Sequence, residues 1–100
     1  MLILSQNKTQ IVVLENLSSI FSDASAKIRC NYNQNGGGSE LARYDNREQC
    51  AYVMEYIAIS YENGTKTCEL PSAKQVAENI AMAKAHRSNV STSKNRHGGS

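Results

Sequence analysis

The sequence has no tryptophan, one proline and one phenylalanine. Aromatic residues make up 6% of the 100 residues, whereas hydrophobic residues in total make up 40%. A modest core of aliphatic side chains can therefore form, although large aromatic anchors are scarce. A chain of this length predicts a single domain, because two separate cores would each be too small.

Long apolar runs and paired cysteine motifs are also absent. No stretch approaches the ~18 apolar residues of a membrane span, and the run from Met1 to Leu4 is too short, and lacks a basic flank, for a secretory signal. The three cysteines lie 20 and 18 positions apart. An odd number at such spacings favours a reducing compartment over a disulfide framework. We therefore expect a cytoplasmic protein that does not bind membranes.

A strong net charge is the last absence. The formal net charge is +2, from 11 basic and 9 acidic residues. Three of the basic residues, Arg87, Lys94 and Arg96, lie in the last fourteen residues, which contain no acid, so 8 basic and 9 acidic residues remain and residues 1–86 carry −1. A body so close to neutral predicts no electrostatic surface for nucleic acid. Any such binding is expected to be weak and to use the basic tail.

Short runs rich in apolar and β-branched residues predict strands in the first half of the chain. The run KIRCNY alternates strictly, with Ile28, Cys30 and Tyr32 on one face. A second alternating run, SELARYD, follows the segment NQNGGG, and the two predict a β-hairpin with a glycine-rich loop. A phosphate-binding loop is not favoured, because these glycines lead into a strand and no lysine follows them.

Two helices are predicted after this hairpin. Asp45 and Glu48 have the spacing of a capping box at the start of a helix over residues 46–62. A second helix is predicted over residues 73–86, where Ser72 precedes an alanine-rich run.

Together these elements predict an α+β fold. It has a small antiparallel sheet of four to six short strands, drawn from residues 2–44 and 66–70, with one helix packed on it and a second C-terminal helix. This domain is predicted to span residues 1–86. Residues 87–100 have little apolar content and are expected to form a disordered basic tail.

No set of residues has the spacing of a catalytic, metal or cofactor site. Cys30 and Cys50 fall on predicted apolar faces, where a free cysteine packs as a small hydrophobic residue. The two histidines supply no convincing further ligand for zinc beside the cysteines. The glutamates fall on different faces or elements, without a local partner for acid–base chemistry. We expect no enzyme, no metal and no cofactor, although catalytic residues that meet only in the folded chain stay an alternative.

The first predicted helix carries a second apolar face. Residues at helical spacing from Cys50 to Tyr61 form one face, and Tyr52, Tyr56 and Ile59 lie on roughly the opposite side. Because a helix on a sheet needs only one apolar face, the second must be covered by the helix 73–86, by a partner protein or by a second copy of the chain. The candidate partner-binding residues are Tyr52, Tyr56, Ile59 and, at the tip of the glycine-rich loop, Asn33, Gln34 and Asn35.

Three segments, MLILSQNKTQIVVLENLSSI, ELARYDNREQCAYVMEYI and CELP, resemble a family of small proteins from phages and mobile elements of Gram-positive bacteria. Those proteins open with Met-hydrophobic-Ile-Leu-Ser-Gln-Asn-Lys and carry a Leu-Gly-x-Tyr segment before a capped helix. The similarity covers residues 1–71. This chain departs from the pattern with Leu-Ala-Arg-Tyr at residues 41–44 and with the alanine-rich helix after Pro71.

The resemblance implies an α+β fold and a bacterial or phage cytoplasmic origin, and it supplies no catalytic residues. It also implies a protein that binds host machinery, such as an inhibitor of a defence nuclease of the CRISPR type. Our leading hypothesis is therefore a non-enzymatic interaction protein that binds a bacterial host protein. The alternatives are a small nucleic-acid-associated regulator that uses the basic tail, and a small enzyme.

Overall fold

The computed structural model describes residues 1–34 and 36–98, and the side chains of residues 1–34 and 36–86. Within this part, six strands, one short 3₁₀ turn and two α-helices form, which confirms the predicted α+β class. The elements are β1 (Leu2–Leu4), β2 (Ile11–Val13), the 3₁₀ turn (Leu14–Asn16), β3 (Leu17–Ser22), β4 (Lys27–Tyr32), β5 (Gly38–Arg43), α1 (Arg47–Glu62), β6 (Thr67–Glu69) and α2 (Ala73–Gly98).

The strands divide into two three-stranded sheets, where the sequence predicts one antiparallel sheet. In the mixed sheet, of order β2-β1-β6, β1 pairs antiparallel with β2 and parallel with β6. In the meander sheet, of order β3-β4-β5, both pairings are antiparallel. The 3₁₀ turn separates β2 from β3. Parallel strands need a long connection, and the chain between β1 and β6 includes α1; a pairing between such distant segments has no local sequence signal.

One apolar cluster includes residues from both sheets and both helices. Ile3 of the mixed sheet, Ile28 of the meander sheet, Val53 of α1 and Val76 of α2 are all fully buried in it. The alternation of β4 places Ile28 and Cys30 inside, as the sequence predicts. The two sheets therefore pack on the same core as the helices.

A β-bulge in β5 alters the predicted alternation. Ile28 pairs with Ala42, whereas the next residue of β4, Arg29, pairs with Glu40, so Leu41 is an extra residue in the ladder. Leu41 and Ala42 are consequently both buried, although strict alternation predicts opposite faces. The Leu41 carbonyl accepts a hydrogen bond from the Gln6 backbone N–H at 2.9 Å, which links the meander sheet to the loop after β1.

The helix α1 is capped one residue later than predicted. Asn46 is the N-cap, and its Oδ1 accepts from the Gln49 backbone N–H at 2.9 Å. The Gln49 side chain in turn accepts from the Asp45 backbone N–H at 2.9 Å. Asp45 with Glu48 and Asn46 with Gln49 have the same spacing and similar capping preference. Gln49 points into the protein, where it is buried, and this packing selects the second pair.

The second helix begins as predicted and extends further. Ser72 Oγ accepts from the Gln75 backbone N–H at 3.1 Å. The backbone of α2 continues to Gly98 and passes the predicted end at residue 86, since neither proline nor glycine interrupts residues 73–97. No helix of the described residues is long and apolar enough to cross a membrane. A role for residues 87–100 as a basic tail stays a prediction, because their side chains are outside the described part.

Candidate protein-binding surface

The helix α2 covers part of the second apolar face of α1. Tyr52 is half-buried and packs against the apolar core. Its hydroxyl accepts a hydrogen bond from the Asn79 amide of α2 at 3.3 Å. The second helix therefore covers Tyr52, which is the first of the explanations that the sequence left open.

Tyr56 and Ile59 lie on the same side of α1 but stay exposed. Their exposed fractions are 37% and 47%. Partial burial raises the pKa of the Tyr56 phenol, and the neighbouring Cys68 and Glu69 add to this effect. Tyr56 thus presents a ring and a neutral hydroxyl to the outside. We refer to Tyr52, Tyr56 and Ile59 together as the tyrosine surface.

A cleft of about 300 Å³ adjoins the tyrosine surface. It lies where α1, the end of β6, the connection from β6 to α2, the start of α2 and the loop after β1 meet. The Lys8 ammonium and the Glu69 carboxylate lie 4.0 Å apart at this cleft, and both are largely exposed. The lining residues are Gln6, Lys8, Tyr52, Tyr56, Glu69, Leu70, Pro71, Ser72, Gln75 and Asn79.

The loop residues predicted to bind a partner lie elsewhere. Asn33 and Gln34 are exposed and line a different depression, of about 390 Å³, together with Asn16 and Tyr32. The Asn33 backbone N–H donates to the Asn16 carbonyl at 3.0 Å. Asn35 lies outside the described residues. Tyr52 and Tyr56 therefore line one depression, and Asn33 and Gln34 line another.

All three cysteines are buried in the core, as their positions on apolar faces predict for Cys30 and Cys50. Burial raises the pKa of each thiol above its ordinary value. A buried thiol with a raised pKa is a poor nucleophile and a poor metal ligand. Across the described residues, no group of three or more His, Cys, Asp and Glu side chains is placed to hold a metal ion.

The raised thiol pKa values predict a loss of stability at alkaline pH. Unfolded thiols ionise from about pH 8.5, whereas the buried thiols stay protonated to higher pH. Above about pH 8.5 the unfolded chain binds fewer protons than the folded one, so the free energy of unfolding falls as pH rises. The thiol contribution is fully present below that pH and is lost as pH rises through the folded pKa values.

Chemical denaturation at pH 7, 8.5 and 10 measures this effect. Between the unfolded and folded pKa values, the free energy of unfolding is expected to fall by at most about 1.4 kcal/mol per pH unit for each thiol. A Cys30→Ala variant is less stable at every pH because a core side chain is shortened, but it should lose less stability than the wild type between pH 8.5 and 10. Equal losses in the two proteins would mean that the Cys30 thiol ionises at similar pH in both states.

Two further exposed faces were not predicted as binding surfaces. Leu2, Ile11 and Val13 are exposed on the outer face of the mixed sheet. Lys27 and Arg29 lie on the outer face of the meander sheet, and their alternation with Ile28 and Cys30 already placed them on one side of β4. What the alternation does not indicate is which charges of β5 lie beside them.

Comparisons of the chain with protein-family models, with curated proteins and with solved structures find no match. The resemblance to small phage and mobile-element proteins therefore stays a prediction. The proposal below is therefore argued from the exposure and contacts of the tyrosine surface.

Proposed function

We propose that the protein is a non-enzymatic interaction protein that binds another protein through the tyrosine surface. The observation that carries the proposal is that Tyr56, which lines a cleft, and Ile59 on the same side of α1 stay exposed, although α2 covers the adjoining Tyr52. Tyrosine is enriched at protein interfaces because it combines a large apolar area with a hydroxyl that hydrogen-bonds. The cleft next to it offers amide, hydroxyl and carboxylate groups for the polar rim of an interface.

The partner that we propose is a bacterial host protein, met in the cytoplasm of the host cell. A defence nuclease of the CRISPR type is the candidate favoured by the resemblance of the opening segment. Binding needs no cofactor. A second copy of the chain on the same surface is the alternative occupant, and the experiment below distinguishes the two.

Removing the exposed side chains is expected to abolish most of the binding. A Tyr56→Ser/Ile59→Ser double variant should bind the partner at least roughly 30-fold more weakly, since interface anchors of this kind contribute about 2 kcal/mol or more. Tyr52 is left in place because it is half-buried and bonded to Asn79, so that its loss would disturb the fold. The partner is first captured from a Gram-positive host lysate with tagged protein, then purified and titrated against both proteins by calorimetry.

The matched control is Met82→Ser on α2, which also removes an exposed apolar side chain, one that is 69% exposed. It should bind like the wild type. Thermal unfolding verifies that the variants are folded, and size-exclusion chromatography measures their oligomeric state. A partner that binds the double variant with unchanged affinity contradicts the proposal. If the wild type and the control are dimers and the double variant is a monomer, the tyrosine surface would instead mediate self-association.

A further inference from the structure

Positive side chains from two strands lie on the outer face of the meander sheet. Lys27 and Arg29 of β4 point away from the core, opposite the buried Ile28 and Cys30. In the antiparallel register, Lys27 pairs with Arg43 of β5. Three cations that are far apart in the sequence thus occupy neighbouring positions on one surface.

Glu40 is the one acid among the paired strand residues of this face, and a second acid, Asp23, lies in the turn before β4, where its carboxylate accepts from the Lys27 backbone N–H at 3.2 Å. Glu40 pairs with Arg29 in the register, forms an ion pair with Arg43 and lies 3.7 Å from the Lys27 ammonium. The hydrogen bond from Arg43 and the charges of Lys27 and Arg29 hold the pKa of Glu40 below its usual value. The paired strand residues of this face, three positive and one negative, carry a net charge of +2, which Asp23 in the adjoining turn lowers to +1, whereas residues 1–86 together carry −1.

An exposed aromatic ring completes the face. Phe21 of β3 is the cross-strand neighbour of Arg29 and is 37% exposed. On the next row, the Asn31 amide donates to Ser19 Oγ at 3.1 Å, and both residues are exposed. In the pairing of β4 with β5, Asn31 lies opposite Gly38, which has no side chain to cover the Asn31 amide. The surface therefore combines cations, a ring and small polar groups.

We propose that the outer face of the meander sheet binds single-stranded nucleic acid, with Arg29 and Lys27 contacting phosphates and Phe21 stacking on a base. An open antiparallel sheet with an exposed aromatic ring presents a stacking platform, and every base has a flat face that can use it. The adjoining guanidinium and ammonium groups attract the phosphates that follow the bases. An acidic peptide would use the cations but would leave the ring without a comparable partner. This binding does not depend on the tyrosine surface.

Fluorescence polarisation with a labelled oligothymidylate of ~12 nucleotides, a length within the usual site sizes, tests the proposal at low salt. Phe21→Leu keeps an apolar side chain but removes the ring, and it should weaken binding by about 5-fold or more. Arg29→Gln should weaken binding and reduce the slope of log affinity against log salt by about 0.7. Glu40→Gln removes the acid that pairs with Lys27 and Arg43 and should strengthen binding by roughly 3-fold or more.

Two control variants remove charge elsewhere in the full-length chain. Lys66→Gln changes an exposed lysine just before β6, and it should bind like the wild type. A triple variant, Arg87→Gln/Lys94→Gln/Arg96→Gln, neutralises the C-terminal basic residues. In this background, Phe21→Leu and Arg29→Gln should still weaken binding. Thermal unfolding verifies that each variant is folded.

Several results would overturn the proposal. One is an affinity unchanged by both Phe21→Leu and Arg29→Gln, and another is an equal loss from Lys66→Gln and Arg29→Gln. Binding that disappears in the C-terminal triple variant alone would assign the interaction to residues 87–100. Competition by polyglutamate as effective as unlabelled oligothymidylate, with no effect of Phe21→Leu, would indicate an acidic protein as the partner.

Discussion

Ile3→Ala is expected to lower the free energy of unfolding by about 3 kcal/mol, as deletion of a large buried side chain does in a packed core. Ile3 is fully buried in β1, the central strand of the mixed sheet. It pairs with Val12 on one side and Cys68 on the other, and both of these residues are buried as well. Alanine would leave a cavity at the point where three strands meet the core, and the paired backbones limit how far the site can collapse.

The matched control is Ile11→Ala in the neighbouring strand β2. It deletes the same atoms from a side chain that is 60% exposed, so it should cost less than about 1 kcal/mol. Chemical denaturation followed by circular dichroism measures both values. The melting temperature of Ile3→Ala should fall by roughly 12–24 °C. Similar losses for the two variants would mean that β1 does not contribute to the core.

Gly38→Ala is the second substitution with a large expected effect, a loss of about 2 kcal/mol or more in the free energy of unfolding. A Cβ at Gly38 would lie 2.4 Å from the Cys30 carbonyl oxygen and 3.0 Å from Asn31 Oδ1. The oxygen of Cys30 belongs to the backbone of β4, the strand that pairs with β5. A rotamer change cannot relieve this clash, so one strand must move and part of the ladder must weaken.

Gly37→Ala is the control, because it makes the same change one residue earlier. Its Cβ would find only Tyr32 Cδ2, at 3.8 Å, which is an ordinary van der Waals contact. Its stability should stay within about 0.5 kcal/mol of the wild type. Urea denaturation of the two variants measures their free energies of unfolding. If Gly38→Ala is as stable as Gly37→Ala, the close approach of β4 and β5 at this position is incorrect.

Elements that depend on neighbouring residues could be predicted from the sequence. The strict alternation of residues 27–32 predicts the strand that the structure has as Lys27–Tyr32. The capping pair and the helical spacing that follows it predict a helix over residues 46–62, within one residue of Arg47–Glu62. The hairpin that joins β4 to β5 follows from two alternating runs around the glycines. Period and turn chemistry act over a few residues, so each segment carries its own signal.

Features that depend on distant residues were not predictable in the same way. The parallel pairing of β1 with β6 joins segments more than sixty residues apart, and the bulge at Leu41 depends on the register with β4. The choice of Asn46 over Asp45 as the N-cap depends on the burial of Gln49. In each case the local sequence permits more than one arrangement, and packing against the rest of the chain selects one.

The same division applies to the candidate sites. Tyr52, Tyr56 and Ile59 share one side of α1 because of helical geometry, and this could be predicted from their spacing. That α2 covers Tyr52, with Asn79 bonded to its hydroxyl, and leaves Tyr56 and Ile59 exposed depends on how the two helices pack.

The outer face of the meander sheet shows the division most clearly. Alternation determined that Lys27 and Arg29 point the same way, but the overall charge of residues 1–86 predicted no surface for nucleic acid. The register of β3, β4 and β5 decided that Phe21 and Arg43 join them. Net charge is a sum over the whole chain, whereas a binding surface depends on which charges the strand pairing brings together.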